Sequence, residues 1–127
     1  MNLYDPDKLF PHPLNLAIYG HEPPDAELTA SIRKKGVLTP VEVVTATING
    51  ATELYILSGH RRVAAAKEVG CKVPIHINLS LSPLQQEEFL LTANIQRVKT
   101  PEQKFREVRE RERIELEKAA KRRAEGL

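Results

Sequence analysis

"LSGHRRVAAAKEVG", residues 57–70, sets a glycine and two adjacent arginines between an apolar run and a helix-forming one. The preceding "ELYILS" reads as a strand, Ser58-Gly59 breaks it, and His60 to Val69 read as a helix ended by Gly70. A strand, a glycine break and a helix start make an anion site by physics alone. The first N–H groups of a helix lack intrahelical partners and carry the positive end of its dipole. Gly59 lets a ligand approach the backbone closely. Arg61 and Arg62 add forked, permanently charged donors suited to phosphate. Consecutive helical residues point about 100° apart, so the two need not reach one phosphate. The alternative is that both are surface charges, although cations at a helix start oppose the dipole. Val63, Ala66 and Val69 suit the buried side of this helix, and Ala64 and Ala65 permit close packing.

Working outward, "PVEVVTA" alternates and is β-branched, which predicts a strand. Asn49-Gly50 is a hairpin turn signal that returns the chain into "ELYILS". Before the hairpin, "PPDAELTASIRKKG" predicts a short helix capped by Asp25, with Leu28 and Ile32 on one face and Gly36 as its stop. After the arginine helix, "VPIHI" is a short strand. Its His76 reads as a strand surface residue, and the four histidines show no metal-ligand spacing. "SPLQQEEFLLTANIQR" is a helix with Ser82 as cap and Pro83 in its first turn, offering Leu84, Phe89, Leu90 and Ala93 for burial. Residues 1–24 are rich in proline and polar residues. They read as an arm over the surface, with one extended piece around Leu14, Leu16, Ala17 and Ile18.

A last helix, roughly 101–125, starts at Thr100-Pro101 with Gln103 placed for a capping box. Phe105 and Val108 are its expected packing residues. Beyond them the apolar stripe is poor, so the later part is expected to stand out from the core. Glu102–Arg106, Glu107–Arg111 and Glu117–Lys121 have the favourable i,i+4 direction.

Composition bounds the partners. The 127 residues suit one domain, and the formal net charge is only +2. Residues 1–98 hold 9 Lys/Arg against 10 Asp/Glu, and residues 99–127 hold 10 against 7, so the positive excess lies in the tail. Cys71 is the single cysteine, which excludes an intramolecular disulfide and a Cys-rich zinc site. No segment approaches the roughly 20 apolar residues of a membrane span, and the N-terminus lacks a signal-peptide pattern. A cytoplasmic location without membrane partners is the expectation.

A second polar cluster, "TANIQRVKTPEQ", sets Asn94, Gln96 and Arg97 at a helix-to-helix junction. Taken alone it also reads as ordinary capping by Asn94 with dipole complementation by Arg97. Together with the other motifs it resembles the ParB/sulfiredoxin superfamily over about residues 10–105. "SIRKKGVLTPVEVV" is similar to the ParB helix that leads through Gly-hydrophobic-x-Pro into a strand. "SGHRRVAAAKEVG" is similar to the Gly-Glu-Arg-Arg-x-x-Ala box, and "TANIQRVKTPEQ" to the Glu-Asn-x-Gln-Arg box.

The resemblance implies an α+β fold: a small mixed sheet flanked by helices, ParB/sulfiredoxin-like, with a charged C-terminal helix. It divides the chain into the arm 1–24, a nucleotide-binding core 25–100 and the helix 101–127, which would continue into a missing region if the chain is a fragment. It also implies a site for a nucleoside triphosphate, CTP or ATP, with Mg²⁺. By matching positions, Gly59, His60, Arg61 and Arg62 would meet phosphate. Asn94 would assist Mg²⁺ or phosphate, Gln96 and Arg97 would support the same face, and Thr39 and Pro40 would lie in the adjacent loop. The family's two box glutamates are His60 and Ala93 here, which removes a carboxylate expected near the metal. His60-Arg61 resembles the sulfiredoxin Gly-Cys-His-Arg motif, but the reactive cysteine of that motif falls on Gly59. No thiolate stands at the phosphate site, which argues against sulfiredoxin chemistry.

The leading expectation is therefore the nucleotide-binding domain of a DNA-associated partition or regulatory protein. Its partners would be nucleotide, DNA (directly or through a missing region) and a second copy through the C-terminal helix. A second reading is an enzyme on the same fold: a nuclease or phosphotransferase, or a weak nucleoside triphosphatase. Metal-dependent phosphoryl chemistry needs carboxylates, and the sequence does not show that Asp25, Glu27, Glu42 and Glu53 converge. A third reading is an oligomerisation module without nucleotide.

Overall fold

A hairpin over residues 41–58 is the centre of the sheet in the computed structural model, which describes residues 2–126. Met1 and Leu127, the ends of the expected arm and final helix, lie outside the described residues. Strands β3 (Val41–Ile48) and β4 (Ala51–Ser58) pair antiparallel from Glu42–Ser58 to Ile48–Ala51. Asn49 and Gly50 both take positive φ, as a two-residue turn matched to strand twist requires. Strand β5 (Val73–Asn78) runs parallel to β3 on the side away from β4, and α3 (His60–Val69) carries the chain from β4 to it. Two short edge strands complete a mixed sheet of order β1-β5-β3-β4-β2: β1 (Asn2–Tyr4) antiparallel to β5 and β2 (Leu9–Pro11) parallel to β4.

The sheet is buried on both faces. Val41, Val43, Ile56 and Val73 pack with Leu9 beneath Val63 and Ala66 of α3. Val44, Tyr55 and Leu57 form the opposite face, with Phe89 of α4 (Pro83–Ala93) packed against it. Helix α2 (Ala26–Lys35) lies beside α3 and buries Ile32. A third cluster joins Leu14, Ile18 and Tyr19 of α1 (Pro13–Tyr19) to Leu90 and Leu91 of α4 and Ile114 of α5 (Pro101–Ala124). The expected caps are present: Asp25 accepts from the Leu28 N–H, and Ser82–Gln85 and Thr100–Gln103 form capping boxes. No helix among the described residues is long and apolar enough to cross a membrane.

Two expectations are corrected. The N-terminal segment is not an arm laid over the surface. Leu14, Leu16, Ala17 and Ile18 are helical rather than extended, and residues 2–19 supply two edge strands and part of the core. The reason is local: Pro13 opens α1 at the position where a missing N–H costs nothing, and the His12 Nδ1 accepts from the Leu14 N–H as a cap. A histidine cap is not among the usual signals. The packing face of α5 is also different. Phe105 and Val108 are 63% and 53% exposed, whereas Ile114 is 2% exposed.

Ion pairs accompany that single apolar anchor. Arg113 reaches Glu87 of α4 at 2.5 Å and Glu117 at 2.7 Å, and Lys118 reaches Glu88 at 3.3 Å. The Arg106 Nε donates to the Ile18 carbonyl at 2.7 Å. Of the three expected i,i+4 pairs, only Glu107–Arg111 forms among the described residues. Arg106 and Glu117 are instead turned toward Ile18 and Arg113. Ile114→Ala should therefore cost about 2–5 kcal/mol, and Phe105→Ala within about 0.5 kcal/mol of nothing. Urea unfolding of the two variants against the parent chain measures both.

Candidate functional site

The turn from β4 into α3 depends on Gly59. Its φ of +108° is in the region that favours glycine, and a Cβ there would lie 3.0 Å from the Arg62 Nη2 and 3.1 Å from Val41 Cγ2. No side chain caps α3, so the N–H groups of its first turn are left to whatever occupies the space before it. That space is a cleft of about 680 Å³. Gly59, His60, Arg61 and Arg62 line it from α3, and Ala93, Asn94, Gln96 and Arg97 line it from the α4–α5 junction. The two polar clusters, distant in sequence, meet across one opening.

The arginines divide as the helical angle dictates. Arg61 is exposed, its Nη2 3.1 Å from Asp25 Oδ2. Arg62 turns inward, and its Nη1 donates to the carbonyls of both Thr39 and Pro40 at 2.9 Å. Thr39 and Pro40 thus hold Arg62 from behind and do not line the cleft. They border a separate hollow with Asn2, Glu42 and His76. Burial lowers the Arg62 pKa, partly offset by Glu42, from a value so high that the guanidinium stays charged.

Arg97 is held from two sides. Its guanidinium lies 3.7 Å above the centre of the Tyr19 ring and forms an ion pair with Glu22. The Asn94 amide Nδ2 donates to the Leu90 carbonyl at 2.9 Å, which leaves its Oδ1 as the acceptor not used by that bond. Gln96 is exposed at the cleft edge.

His60 enters the site without charge. Its Nε2 accepts from the His12 backbone N–H at 3.3 Å, so the neutral ring carries its proton on Nδ1. Burial, followed by the charges of His12 and Arg97, pushes its pKa down to about 3. The expected phosphate contact at this position therefore lacks a positive side chain. The nearby His12 is also held below its usual value, mainly by burial, and its ring is 3.3 Å from Gln86 Oε1.

Three acidic residues complete the lining: Glu22, Asp25 and Glu27. Sequence reasoning noted Asp25 and Glu27 without showing that they converge, and it missed Glu22. The "HEPPD" stretch that contains it carries no motif. Glu42 lies elsewhere, paired with the exposed His76 at 3.0 Å, and Glu53 borders a different hollow near Tyr4. Among the described residues, no three His, Cys, Asp or Glu side chains are grouped to hold a metal by themselves.

The model of the ParB N-terminal domain matches residues 25–95. The chain is similar to the C-terminally truncated chromosome-partitioning protein ParB from Caulobacter crescentus complexed with CTP-gamma-S, with a TM-score of 0.60 and 29% identity over 78% of this chain and 54% of that one. The same protein complexed to the centromeric parS site gives a TM-score of 0.56 and 22% identity over 84% of this chain and 54% of that one. Sulfiredoxin from Arabidopsis thaliana gives 0.45 and 24% over 62% and 84%. The chain spans about half the length of the ParB chains it matches. No curated protein sequence matches it.

The His60 geometry has a consequence for acid stability. The folded pKa of about 3 lies below the ordinary 6.5, so the unfolded chain takes up the proton first. The stability supplied by the neutral ring is present above pH 6.5 and is lost as pH falls from there towards 3. His60→Gln should flatten this part of the profile. Thermal melts of both proteins between those limits measure the difference, which cancels the carboxylate contributions common to them.

Proposed function

The chain belongs to the ParB N-terminal domain family, and on that premise we propose that it binds a nucleoside triphosphate with Mg²⁺. The observation that carries this reading is the convergence of the α3 start and the α4–α5 junction on one cleft. Phosphate oxygens would accept from the uncapped N–H groups of α3 and from Arg61, with Gly59 allowing close approach. Asn94 and Arg97 would face them from the other wall. Arg62, engaged with Thr39 and Pro40, would act mainly by fixing the loop and adding charge. The CTP-gamma-S bound to the Caulobacter crescentus protein favours CTP over ATP.

In this reading the nucleotide domain serves a DNA-associated partition or regulatory protein in the cytoplasm. DNA would be met directly or through another region, with the basic excess of residues 99–127 giving salt-sensitive phosphate contacts. Self-association would use the exposed side of α5, where Phe105, Val108 and Leu116 are left uncovered.

Calorimetry with CTP, ATP, GTP and ADP, with and without Mg²⁺, tests the site. Arg61→Ala should weaken triphosphate binding by about 1.5–3 kcal/mol, the scale of a charge-assisted hydrogen bond. Unchanged affinity, or no binding of any nucleotide to the parent chain, overturns the reading. Light scattering tests the second part: the chain should associate, more so with nucleotide, and Phe105→Glu should reduce that association.

A further inference from the structure

The cleft holds three arginines and three carboxylates, so its side chains bring no net positive charge. A triphosphate is highly anionic, and a neutral cleft binds it well only with a cation. The expected metal-side glutamate is absent, because Ala93 stands at that position and lines the cleft.

The three carboxylates differ in what they have left to offer. Asp25 is committed, with Oδ1 capping α2 and Oδ2 on Arg61. Glu27 is exposed in the first turn of α2. The Glu22 side chain is only 10% exposed. One of its oxygens faces Arg97, and the other, Oε2, is buried with no hydrogen-bond partner. A buried, unpaired carboxylate oxygen is costly. A divalent cation is the kind of partner that would relieve it.

We propose that Glu22 supplies the carboxylate for a Mg²⁺ ion that enters the cleft with the triphosphate. This inference rests on the nucleotide reading of the same cleft. Mg²⁺ is commonly held by one or two protein oxygens, substrate phosphates and water, so the lack of a three-residue protein cage fits it. Glu22 Oε2, buried and without a hydrogen bond, and the Asn94 Oδ1 would be the inner protein oxygens, reached by a small turn of the Glu22 carboxylate about its pair with Arg97. The segment between α1 and α2 thus takes over a role that the resemblance places at the end of α4.

The test is calorimetry of CTP and ATP with Mg²⁺ and with EDTA, on the parent chain, Glu22→Gln and Glu22→Gln/Ala93→Glu. Electron paramagnetic resonance of Mn²⁺ in the presence of CTP reads metal binding directly. Mg²⁺ should raise the parent's affinity by about tenfold or more, the scale of losing or gaining a partner in a metal site. Glu22→Gln should lose most of that increment, together with the bound-Mn²⁺ signal, while any change in its metal-free binding reads the loss of the Arg97 pair instead. Ala93→Glu should restore both, which a merely unfolded Glu22→Gln chain could not show. If Glu22→Gln retains the full Mg²⁺ increment, or the parent binds nucleotide without regard to Mg²⁺, the Glu22 assignment falls and the nucleotide reading stands. If the parent binds no nucleotide at all, both fall.

Discussion

The close seat of α3 on the sheet is the constraint on which the rest depends. Val63 and Ala66 pack directly over Val41, Val43 and Ile56, and the alanines keep the helix near the strands. Only Gly59 separates the end of β4 at Ser58 from the start of α3 at His60. Gly59 makes that corner in the left-handed region, where a Cβ would be strained and would press on Val41 and Arg62. The same corner strips α3 of a side-chain cap and opens its first turn to the cleft. The cleft geometry is thus a by-product of packing: the helix cannot be moved away from the cleft without disturbing the core beneath it.

Electrostatics then divide the cleft into positions that are fixed and positions that are free. Arg62 is held by two carbonyls and Arg97 by an aromatic face and a carboxylate, so neither loses much freedom on meeting a ligand. Arg61 has one exposed partner, and such pairs contribute at most about 1 kcal/mol. A phosphate can displace Asp25 from it at little cost. Arg61 is accordingly the residue through which the proposed phosphate binding would be most directly read.

Much of this was legible in the sequence because it depends on local chemistry. Asn49-Gly50 announces the hairpin, Ser82 and Thr100 announce their helices, and Ser58-Gly59 with the arginines announces the uncapped start. The family resemblance added the pairing of that start with Asn94 and Arg97. What stayed hidden depends on tertiary neighbours. Leu9–Pro11 is too short to announce a strand and exists because β4 offers it an edge. His12 caps a helix in place of the usual residues. Glu22 has no motif around it and becomes part of the site only because α1 and α4 bring it to Arg97. In α5, the sequence shows two apolar candidates near the start and one isolated isoleucine later. The charges decide between them, because only the later face sets Arg113 and Lys118 opposite Glu87 and Glu88.

That arrangement makes α5 a conditional part of the core. One buried isoleucine contributes about 1.5–3 kcal/mol, and it is joined by half-buried ion pairs from Arg113 to Glu87 and from Lys118 to Glu88. A helix of 24 residues is therefore held by few contacts, with its other apolar side chains in solvent. The cleft and this weakly held helix share one link. Tyr19 lies under Arg97 and packs in the same cluster as Ile114, and the nearby Glu107 of α5 helps push its phenol up to about 12, after burial. Glu107 is in turn paired with Lys99, two residues beyond Arg97, at 2.9 Å. Any ligand that draws Arg97 off Tyr19 or Glu22 changes the field and the packing at the foot of α5.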